Sequence, residues 1–231
     1  MHILILIIAV HDYGVYDALK KAQNETWNSL NVENIDTFFI YGDSEVNEIK
    51  DNNIYTDIKE KLWIDNSPLS CAKKTLKALD ILFENGYEYN FLFRTNLGSY
   101  VDKANLYKHI NNIPNDYQYY YDGIVGGENK DIYDNYVGDF LYVNGSTIIM
   151  SKSTCDLLRK NREELEDDKF IDDAAIGKLL KKYNIIPKNT ETYSDINDMS
   201  KFHYKLKTNN RFNDIQSMYN IHQKKIMKDD I

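Results

Sequence analysis

The chain opens with an uninterrupted apolar run, Ile3 to Val10, which restricts the possible folds more than any other segment. A strand that is apolar on both faces must be covered on both sides, as strands are at the centre of a parallel sheet. A run of eight residues is too short to cross a bilayer. It also lacks the basic start and the cleavage site of a signal peptide. We therefore expect a buried central strand in a chain without a transmembrane segment.

Strand-like and helix-like segments alternate after this run, which is typical of an α/β layer fold. Apolar residues recur at helical spacing from Val15 to Leu30, and a second strand is expected at Thr37–Tyr41. The best-defined helix begins at the capping pair Ser67-Pro68 and ends at Gly86. A short strand, Tyr89–Phe93, follows it. The pattern predicts one domain with a central, mostly parallel sheet flanked by helices.

The second half of the chain continues this alternation. Asn144-Gly145 is a two-residue hairpin signal between predicted strands at Asp139–Val143 and Ser146–Met150. Helices are expected at Lys152–Glu164 and from Asp172 onward, and the chain after Tyr193 is interpreted as a short polar tail. The side chains predicted to form buried helical stripes are Leu69, Ala72, Leu76, Leu79 and Phe83 before Gly86, and Ile176, Leu179, Leu180 and Tyr183 in the last helix.

Charge, cysteine usage and missing motifs narrow the function classes. The 231 residues carry 28 basic and 36 acidic side chains, a net charge of −8, with no block of like charge. This balance argues against non-specific nucleic-acid binding. Cys71 and Cys155 lie far apart inside predicted helices, so we expect reduced thiols in a cytoplasmic protein. P-loop, dinucleotide-binding, zinc and serine-hydrolase motifs do not occur, which removes the commonest competing enzyme classes.

Two adjacent acids, Asp172 and Asp173, open the last predicted helix. A structural interpretation is available because an aspartate at the N-cap or in the first turn stabilises a helix by about 0.5–2 kcal/mol. A catalytic interpretation is also available because a carboxylate that projects into a cleft can deprotonate an acceptor hydroxyl. Spacing alone favours the structural interpretation by roughly two to one.

Basic residues and histidines form a second group of candidates. The strand Tyr89–Phe93 runs directly into Arg94-Thr95-Asn96, and open α/β sheets place ligands at such carboxyl ends. Arginine has a planar fork that matches phosphate oxygens, and lysine acts as a point charge. Together they would hold a diphosphate or, alternatively, form a solvated basic tail. The candidates beside Arg94 are Lys205, Lys207 and Arg211, with His203 and the pair His11-Asp12 as further possibilities.

The order of these segments resembles that of the β-1,3-galactosyltransferase and Fringe-type glycosyltransferases, which have the GT-A fold. The likeness runs over most of the chain and is carried by five short segments in family order. They are Asn24-Glu25-Thr26-Trp27 (family R-E-T-W), Asp57–Leu79 (D…L-x-x-K-T-L), Tyr89–Asp102 (a strand, K-T-D-D-D, an apolar-V-N ending), Asn144–Ser151 (G-x-G-Y-V-x-S) and Asp172–Gly177 (E-D-V-x-x-G). The resemblance implies one GT-A-type domain, with residues 1–100 binding a nucleotide sugar and residues 101–231 forming the acceptor half and basic tail.

The resemblance also implies roles for individual residues. The second acid of the family's last motif is its catalytic base, which makes Asp173 the base here, with Asp172 next in line. The reaction implied is inverting transfer from a nucleoside-diphosphate sugar, with UDP favoured, to a hydroxyl of a glycan or glycoprotein. The donor contacts implied are His11, Asp12 and Tyr13 for the base and ribose, and Arg94 and Asn96 for the ribose–diphosphate side.

The metal-binding positions depart from the family pattern. Three consecutive aspartates bind a divalent cation in the family, and this chain has Asn96-Leu97-Gly98 instead. Leucine cannot be a ligand, and a neutral amide is a weaker ligand than a carboxylate for a hard cation. We hypothesise that Arg94 and the basic tail neutralise the phosphates. A requirement for Mn²⁺ or Mg²⁺ stays open, because other acids could supply ligands, namely Asp102, Asp122 and Asp139.

The form Arg94-Thr95-Asn96-x-x-Ser99 resembles glycosyltransferases of large DNA viruses, which would place the protein in host cytoplasm or in a virion. Two other function classes stay open. A non-catalytic carbohydrate-binding or structural virion protein could keep the fold without the metal aspartates. A nucleotidyltransferase ranks last, because it should carry a Gly-rich basic loop near the N-terminus, and His11–Val15 is neither.

Overall fold

The computed structural model describes residues 1–10, 14–59, 70–114, 117–126, 140–166, 171–189 and 198–229. The predicted cap Ser67-Pro68 lies outside these residues. The strands are β1 (Ile3–Ile8), β2 (Ile35–Tyr41), β3 (Glu48–Lys50), β4 (Asn53–Tyr55), β5 (Phe91–Asn96), β6 (Ser99–Val101), β7 (Tyr121–Gly123), β8 (Val125–Gly126), β9 (Tyr142–Val143), β10 (Ile148–Ser151), β11 (Lys188–Asn189) and β12 (His203–Lys205). The helices are α1 (Val15–Glu25), a 3₁₀ turn (Trp27–Ser29), α2 (Ser70–Glu84), α3 (Lys103–Asn111), α4 (Lys152–Lys160), α5 (Arg162–Glu166), α6 (Asp172–Lys182) and α7 (Arg211–Asp229).

Eight of these strands form one sheet in the order β11-β7-β10-β5-β1-β2-β4-β3. Strands β5, β1, β2 and β4 are parallel neighbours, and β7 and β11 run in the same direction further out. Strands β10 and β3 run the opposite way. The expected α/β fold with a mostly parallel central sheet is confirmed.

Strand β1 lies at the centre of the sheet because it is apolar on both faces. Leu4 and Leu6 face a cluster that includes residues of α2, α4 and α6. Ile3, Ile5 and Ile7 face a second cluster that includes residues of α1, α3 and α7. All five side chains are 0% exposed, and burying a side chain of this size stabilises a fold by about 1.5–3 kcal/mol. The sheet is therefore covered by helices on both sides.

The predicted helical stripes are buried except at their last residues. Ala72, Leu76 and Leu79 are buried, and so are Ile176, Leu179 and Leu180, whereas Phe83 and Tyr183 are 60% and 41% exposed. Leu69 lies outside the described residues. Gly86 ends α2 as expected, in a left-handed conformation with a φ of 68° that suits glycine.

The predicted hairpin at Asn144-Gly145 is wrong. Strand β9 pairs with β8, whereas β10 pairs with β5 and β7, so the two strands that flank the turn belong to different sheets. The Asn144 carbonyl accepts the Thr147 N–H at 2.9 Å, and its side chain accepts the Ser146 N–H at 3.2 Å. These bonds turn the chain from one sheet into the other and leave no hairpin ladder.

The interpretation of the end of the chain as a short polar tail is also wrong. Helix α7 has 19 residues. Met218 and Ile221 are 0% and 2% exposed, and Ile215 packs against the same cluster. This narrow apolar stripe is enough to dock a helix that is polar on its other faces.

Two further expectations concern the chain as a whole. Among the described residues, no helix combines the length and the apolar character needed to cross a bilayer. In the part of the chain that the structure describes, neither Cys71 nor Cys155 forms a disulfide, and Cys155 is buried.

Gly177 marks a close contact between α6 and β9 that can be tested. A Cβ atom at this position would lie 2.3 Å from Tyr142 Cβ and 2.7 Å from the Leu141 carbonyl oxygen. We expect Gly177→Ala to lower the free energy of unfolding by about 1–3 kcal/mol because of this overlap. Denaturant unfolding measures the change, with Lys181→Ala on the exposed face of the same helix as control. Equal stability of the two variants would contradict the contact.

Candidate functional site

Strand β5 brings two of the predicted site residues to the carboxyl edge of the sheet. Arg94 is paired with Leu6 of β1 on one side and with Ile148 of β10 on the other. Asn96, at the end of β5, lies beside Ile8, the last residue of β1. Open α/β sheets place ligands at the carboxyl ends of parallel strands. Arg94 therefore lies inside the sheet, and Asn96 lies at its rim.

Arg94 connects this edge of the sheet to helix α6. Its side chain is 3% exposed, and a buried guanidinium needs a counter-charge because desolvating it costs several kcal/mol. The Nη2 atom of Arg94 donates a hydrogen bond to the Asp172 carboxylate. Ile171 is the N-cap of α6, so Asp172 and Asp173 both lie in the first turn of the helix and neither is its N-cap. The ion pair attaches the start of α6 to the sheet.

Asp173 is 9% exposed and is held by two backbone N–H groups. The Gly145 N–H donates to Oδ2 and the Ala174 N–H donates to Oδ1, each at 3.0 Å. Burial and the charge of Asp172 raise the pKa of Asp173 to about 6, while these N–H groups and Arg94 oppose the increase. Asp173 is mostly ionised at neutral pH and is a stronger base than an ordinary aspartate.

The turn at Gly145 and the guanidinium of Arg94 border the same space as Asp173. A Cβ atom at Gly145 would lie 3.5 Å from Arg94 Nη2 and 3.6 Å from Asp173 Oδ2. The buried Nε and Nη1 atoms of Arg94 have no hydrogen-bond partner among the residues that the structure describes. Buried donors are nearly always satisfied in folded proteins, so these two atoms point to an oxygen-bearing ligand or an ordered water beside the acids.

The turn after β5 is held in place by helix α1, which the sequence did not indicate. The Nε2 atom of Gln23 donates to the carbonyl oxygens of Asn96, Leu97 and Ser99 at 3.1, 3.2 and 2.9 Å. The Nε1 atom of Trp27 donates to the Ser99 carbonyl at 3.2 Å. Trp27 belongs to the first segment that resembles the family, whereas Gln23, one turn before it, carries no signal in the sequence.

The residues of this turn do not fit a divalent metal. Asn96 Oδ1 accepts hydrogen bonds from the Gly98 N–H at 3.0 Å and from Ser99 Oγ at 3.3 Å, so the turn itself uses this oxygen. Leu97 is 3% exposed. A Cβ atom at Gly98 would lie 2.9 Å from the Leu206 carbonyl oxygen and 2.6 Å from Arg211 Nη2, so a carboxylate side chain would need both to move. Across the described ranges, no group of three His, Cys, Asp or Glu residues could hold a metal.

The other acids considered as metal ligands make structural contacts. Asp102 caps α3 by accepting the Asn105 N–H at 2.9 Å and also accepts from Lys225 at 2.6 Å. Asp122 is 0% exposed and accepts from the Tyr120 hydroxyl at 2.7 Å. Asp139 lies outside the described residues. Neither described acid joins the Arg94 cluster through these contacts.

The basic end of the chain reaches the same turn through strand β12. This strand pairs antiparallel with β6, so that Lys205 lies opposite Ser99. Lys205 Nζ donates to Asn144 Oδ1 at 3.2 Å, beside Gly145. Lys207 is exposed two residues further on. The structure therefore brings Lys205 and the turns at Ser99 and Gly145 together, near Asp173.

His203 and Arg211, unlike the exposed Lys207, are held by contacts with other protein groups. His203 is 0% exposed, its Nε2 lies 3.0 Å from Ser99 Oγ, and burial and the charge of Lys205 lower its pKa to about 3. It is therefore neutral at neutral pH. Arg211 Nη1 donates to the Leu206 carbonyl at 3.0 Å and to Asp214 at 2.6 Å. The predicted nucleotide contacts His11, Asp12 and Tyr13 lie outside the described residues.

Comparison with known proteins identifies the fold. No family model and no curated protein matches the sequence. Among solved structures, a glycosyltransferase involved in the glycosylation of the major capsid of PBCV-1 is similar over 95% of this chain and 100% of that one, with a TM-score of 0.52 and 10% identity. A nucleoside-diphosphate-sugar pyrophosphorylase from Vibrio cholerae RC9 matches 92% of this chain and 98% of that one, with a TM-score of 0.44 and 11% identity. The first likeness shows that the chain has a glycosyltransferase-like α/β fold of the GT-A kind.

The raised pKa of Asp173 makes stability depend on pH. The folded-state pKa of about 6 exceeds the ordinary value of 3.8, so the folded state binds this proton more tightly than the unfolded state does. The resulting stabilisation is fully present below about pH 4 and is lost as the pH rises through about 6. We expect the melting temperature of the wild type minus that of Asp173→Asn to fall between these values and then level off. Glu163→Gln, an exposed acid on α5, controls for the lost charge, and a constant difference for Asp173→Asn would contradict the assignment.

Proposed function

We propose that this protein is a glycosyltransferase that moves a sugar from a nucleoside-diphosphate sugar to an acceptor hydroxyl. One observation carries the proposal: Arg94, Asp172 and Asp173 form a buried charge cluster at the carboxyl edge of the sheet, beside the Gly145 turn. The likeness of the fold to a known glycosyltransferase supports it. The proposed chemistry needs a base on one side and a group that stabilises the leaving diphosphate on the other.

Asp173 is the proposed general base. Its carboxylate takes the proton of the acceptor hydroxyl while that oxygen attacks the anomeric carbon of the donor. The bond between the anomeric carbon and the diphosphate oxygen breaks, and its electron pair leaves with the nucleoside diphosphate. Attack from the face opposite the leaving group inverts the anomeric configuration. A carboxylate with a pKa of about 6 is ionised at neutral pH and still basic enough for this proton transfer.

Arg94 and Asp172 are proposed to position this base. The ion pair fixes the first turn of α6, and the Gly145 and Ala174 N–H groups then set the orientation of the Asp173 carboxylate. The Nε and Nη1 groups of Arg94 would donate hydrogen bonds to a ligand oxygen. Asp172 is the second candidate for the base, because its side chain is 18% exposed.

The donor is proposed to lie over the carboxyl ends of β1 and β5. His11, Asp12 and Tyr13 follow β1 in the chain and are proposed to contact the base and ribose of a UDP-linked sugar. Asn96, His203 and Arg211 are proposed to shape the donor side of the site through the turn after β5. The resemblance to viral glycosyltransferases and the capsid-glycosylating neighbour support a glycan or glycoprotein acceptor in host cytoplasm or in a virion.

One observation favours a rival function. The three positions of the metal aspartates in the family that the chain resembles are Asn96, the buried Leu97 and Gly98. This is expected for a carbohydrate-binding protein that kept the fold without transfer activity. Calorimetry with nucleoside diphosphates separates the two functions, because a protein that has lost transfer should bind none of them.

Replacing the base tests the glycosyltransferase proposal. We expect Asp173→Asn to lower transfer by about 10²–10⁴-fold, because the amide cannot accept the proton, and to leave nucleoside-diphosphate binding within about twofold. Donor consumption and product formation with a nucleotide-sugar panel measure transfer, and Glu163→Gln on α5 serves as the matched control. Normal turnover in Asp173→Asn would show that another residue is the base.

The pH dependence of transfer provides a second test. We expect kcat/KM to fall about tenfold per pH unit below about 6, where Asp173 becomes protonated. Asp172→Asn should move this limb to lower pH, because it removes the neighbouring negative charge that raises the pKa of Asp173. A limb that stays at the same pH in Asp172→Asn would contradict the proposed coupling.

A further inference from the structure

The turn Asn96–Ser99 stands at the metal-binding position of the glycosyltransferases that this chain resembles. In this protein the basic segment that follows β12 covers it. The Leu206 N–H donates to the Gly98 carbonyl at 2.7 Å, which extends the pairing of β12 with β6 by one residue. Arg211 packs over Gly98, with its Nη2 atom 2.6 Å from where a Cβ would be. The space beside Gly98 that a metal-binding carboxylate would need is therefore taken up by the segment from Lys205, at the end of β12, to Arg211, at the start of α7.

Two lysines of this segment lie on the side away from the core. Lys205 is the last residue of β12, and the Leu206 N–H bond to Gly98 continues its pairing, so we expect residues two apart to share a face here. Leu206 is 5% exposed, whereas Lys205 is half-buried and Lys207 is exposed. The alternation of burial indicates that Lys205, which lies opposite Ser99, and Lys207 share one side of this segment.

The electrostatics of this pair favour an anion. Burial and the positive charge of Lys207 lower the pKa of Lys205, and Asp173 opposes this effect. Two like charges held close together repel each other, and the attraction of both to a bound anion offsets this repulsion. The diphosphate of a nucleotide sugar carries two negative charges, which two ammonium groups can match as well as one divalent cation.

We propose that Lys205 and Lys207 bind the diphosphate of the donor in place of a divalent cation, so that the protein binds nucleoside diphosphates without metal. This inference rests on the proposed glycosyltransferase function. The ammonium groups stabilise the negative charge that builds up on the leaving diphosphate as its bond to the sugar breaks. Lys205 contacts Asn144, and the neighbouring Gly145 N–H binds Asp173, so a diphosphate held by Lys205 lies close to the proposed base.

The test is isothermal titration calorimetry on the full chain with UDP, GDP, ADP and TDP, each in excess EDTA and in Mn²⁺. We expect at least one of them to bind in EDTA, with a Kd that Mn²⁺ changes by less than about threefold. For that nucleotide, Lys207→Ala and Lys205→Gln should each weaken binding about tenfold in EDTA. Lys224→Ala, an exposed lysine of α7, is the matched control and should stay within about twofold.

A charge-conserving variant guards against a folding defect. Lys205→Arg should retain binding within about threefold of wild type, and the melting temperature of each variant shows that it is folded. Binding that needs Mn²⁺, or equal binding by Lys207→Ala, Lys205→Gln and Lys224→Ala, would overturn the lysine site and leave the glycosyltransferase proposal standing. Failure of all four nucleotides to bind in either buffer would overturn both.

Discussion

The ion pair between Arg94 and Asp172 is the interaction on which the candidate site depends. Arg94 extends from the middle of a buried strand, and a guanidinium there is tolerated only with a counter-charge close by. Helix α6 supplies that charge from its first turn, so its N-terminus lies over the carboxyl edge of the sheet. Asp173, the next residue, is thereby buried beside the Gly145 N–H, and burial together with the second acid makes it more basic.

A second constraint comes from the turn after β5, which connects distant parts of the chain. Gln23 of α1 donates to three carbonyl groups of this turn, and β12 pairs with the strand that follows it. Gln23 and His203, which lie 74 and 104 positions from their partners in the sequence, thus both hold the segment Asn96–Ser99. The pairing of β12 with β6 brings Lys205 to this turn, opposite Ser99.

The sequence predicted the parts of the fold that depend on local pattern. The apolar run at Ile3 marks the central strand, and the periodicity around Leu76 and Ile176 marks two buried helices. Asp172 and Asp173 were identified as candidates because they lie in the last of the five segments that resemble the family in order. Whether they act in catalysis or only stabilise the helix could not be decided from spacing, because their burial and their contact with Arg94 arise from residues 78 positions apart.

Other features could not be predicted because they depend on long-range contacts. The β8–β9 pairing overrides a strong hairpin signal at Asn144-Gly145. Helix α7 is stabilised by a narrow apolar stripe of four residues that composition does not reveal, and it contacts α1 from the opposite end of the chain. Gln23 gives no signal as a single polar residue, since its role appears only when the turn after β5 lies beside it.

The most direct measurement is a crystal structure of the protein with a nucleoside-diphosphate sugar that thermal-shift screening identifies. We expect the diphosphate to lie at the turn after β5, with the anomeric carbon between it and Asp173, so that an acceptor oxygen fits between the sugar and the carboxylate. A donor bound on another surface, or one whose anomeric carbon faces away from Asp173, would contradict the central claim that the cluster at the start of α6 is a glycosyl-transfer site.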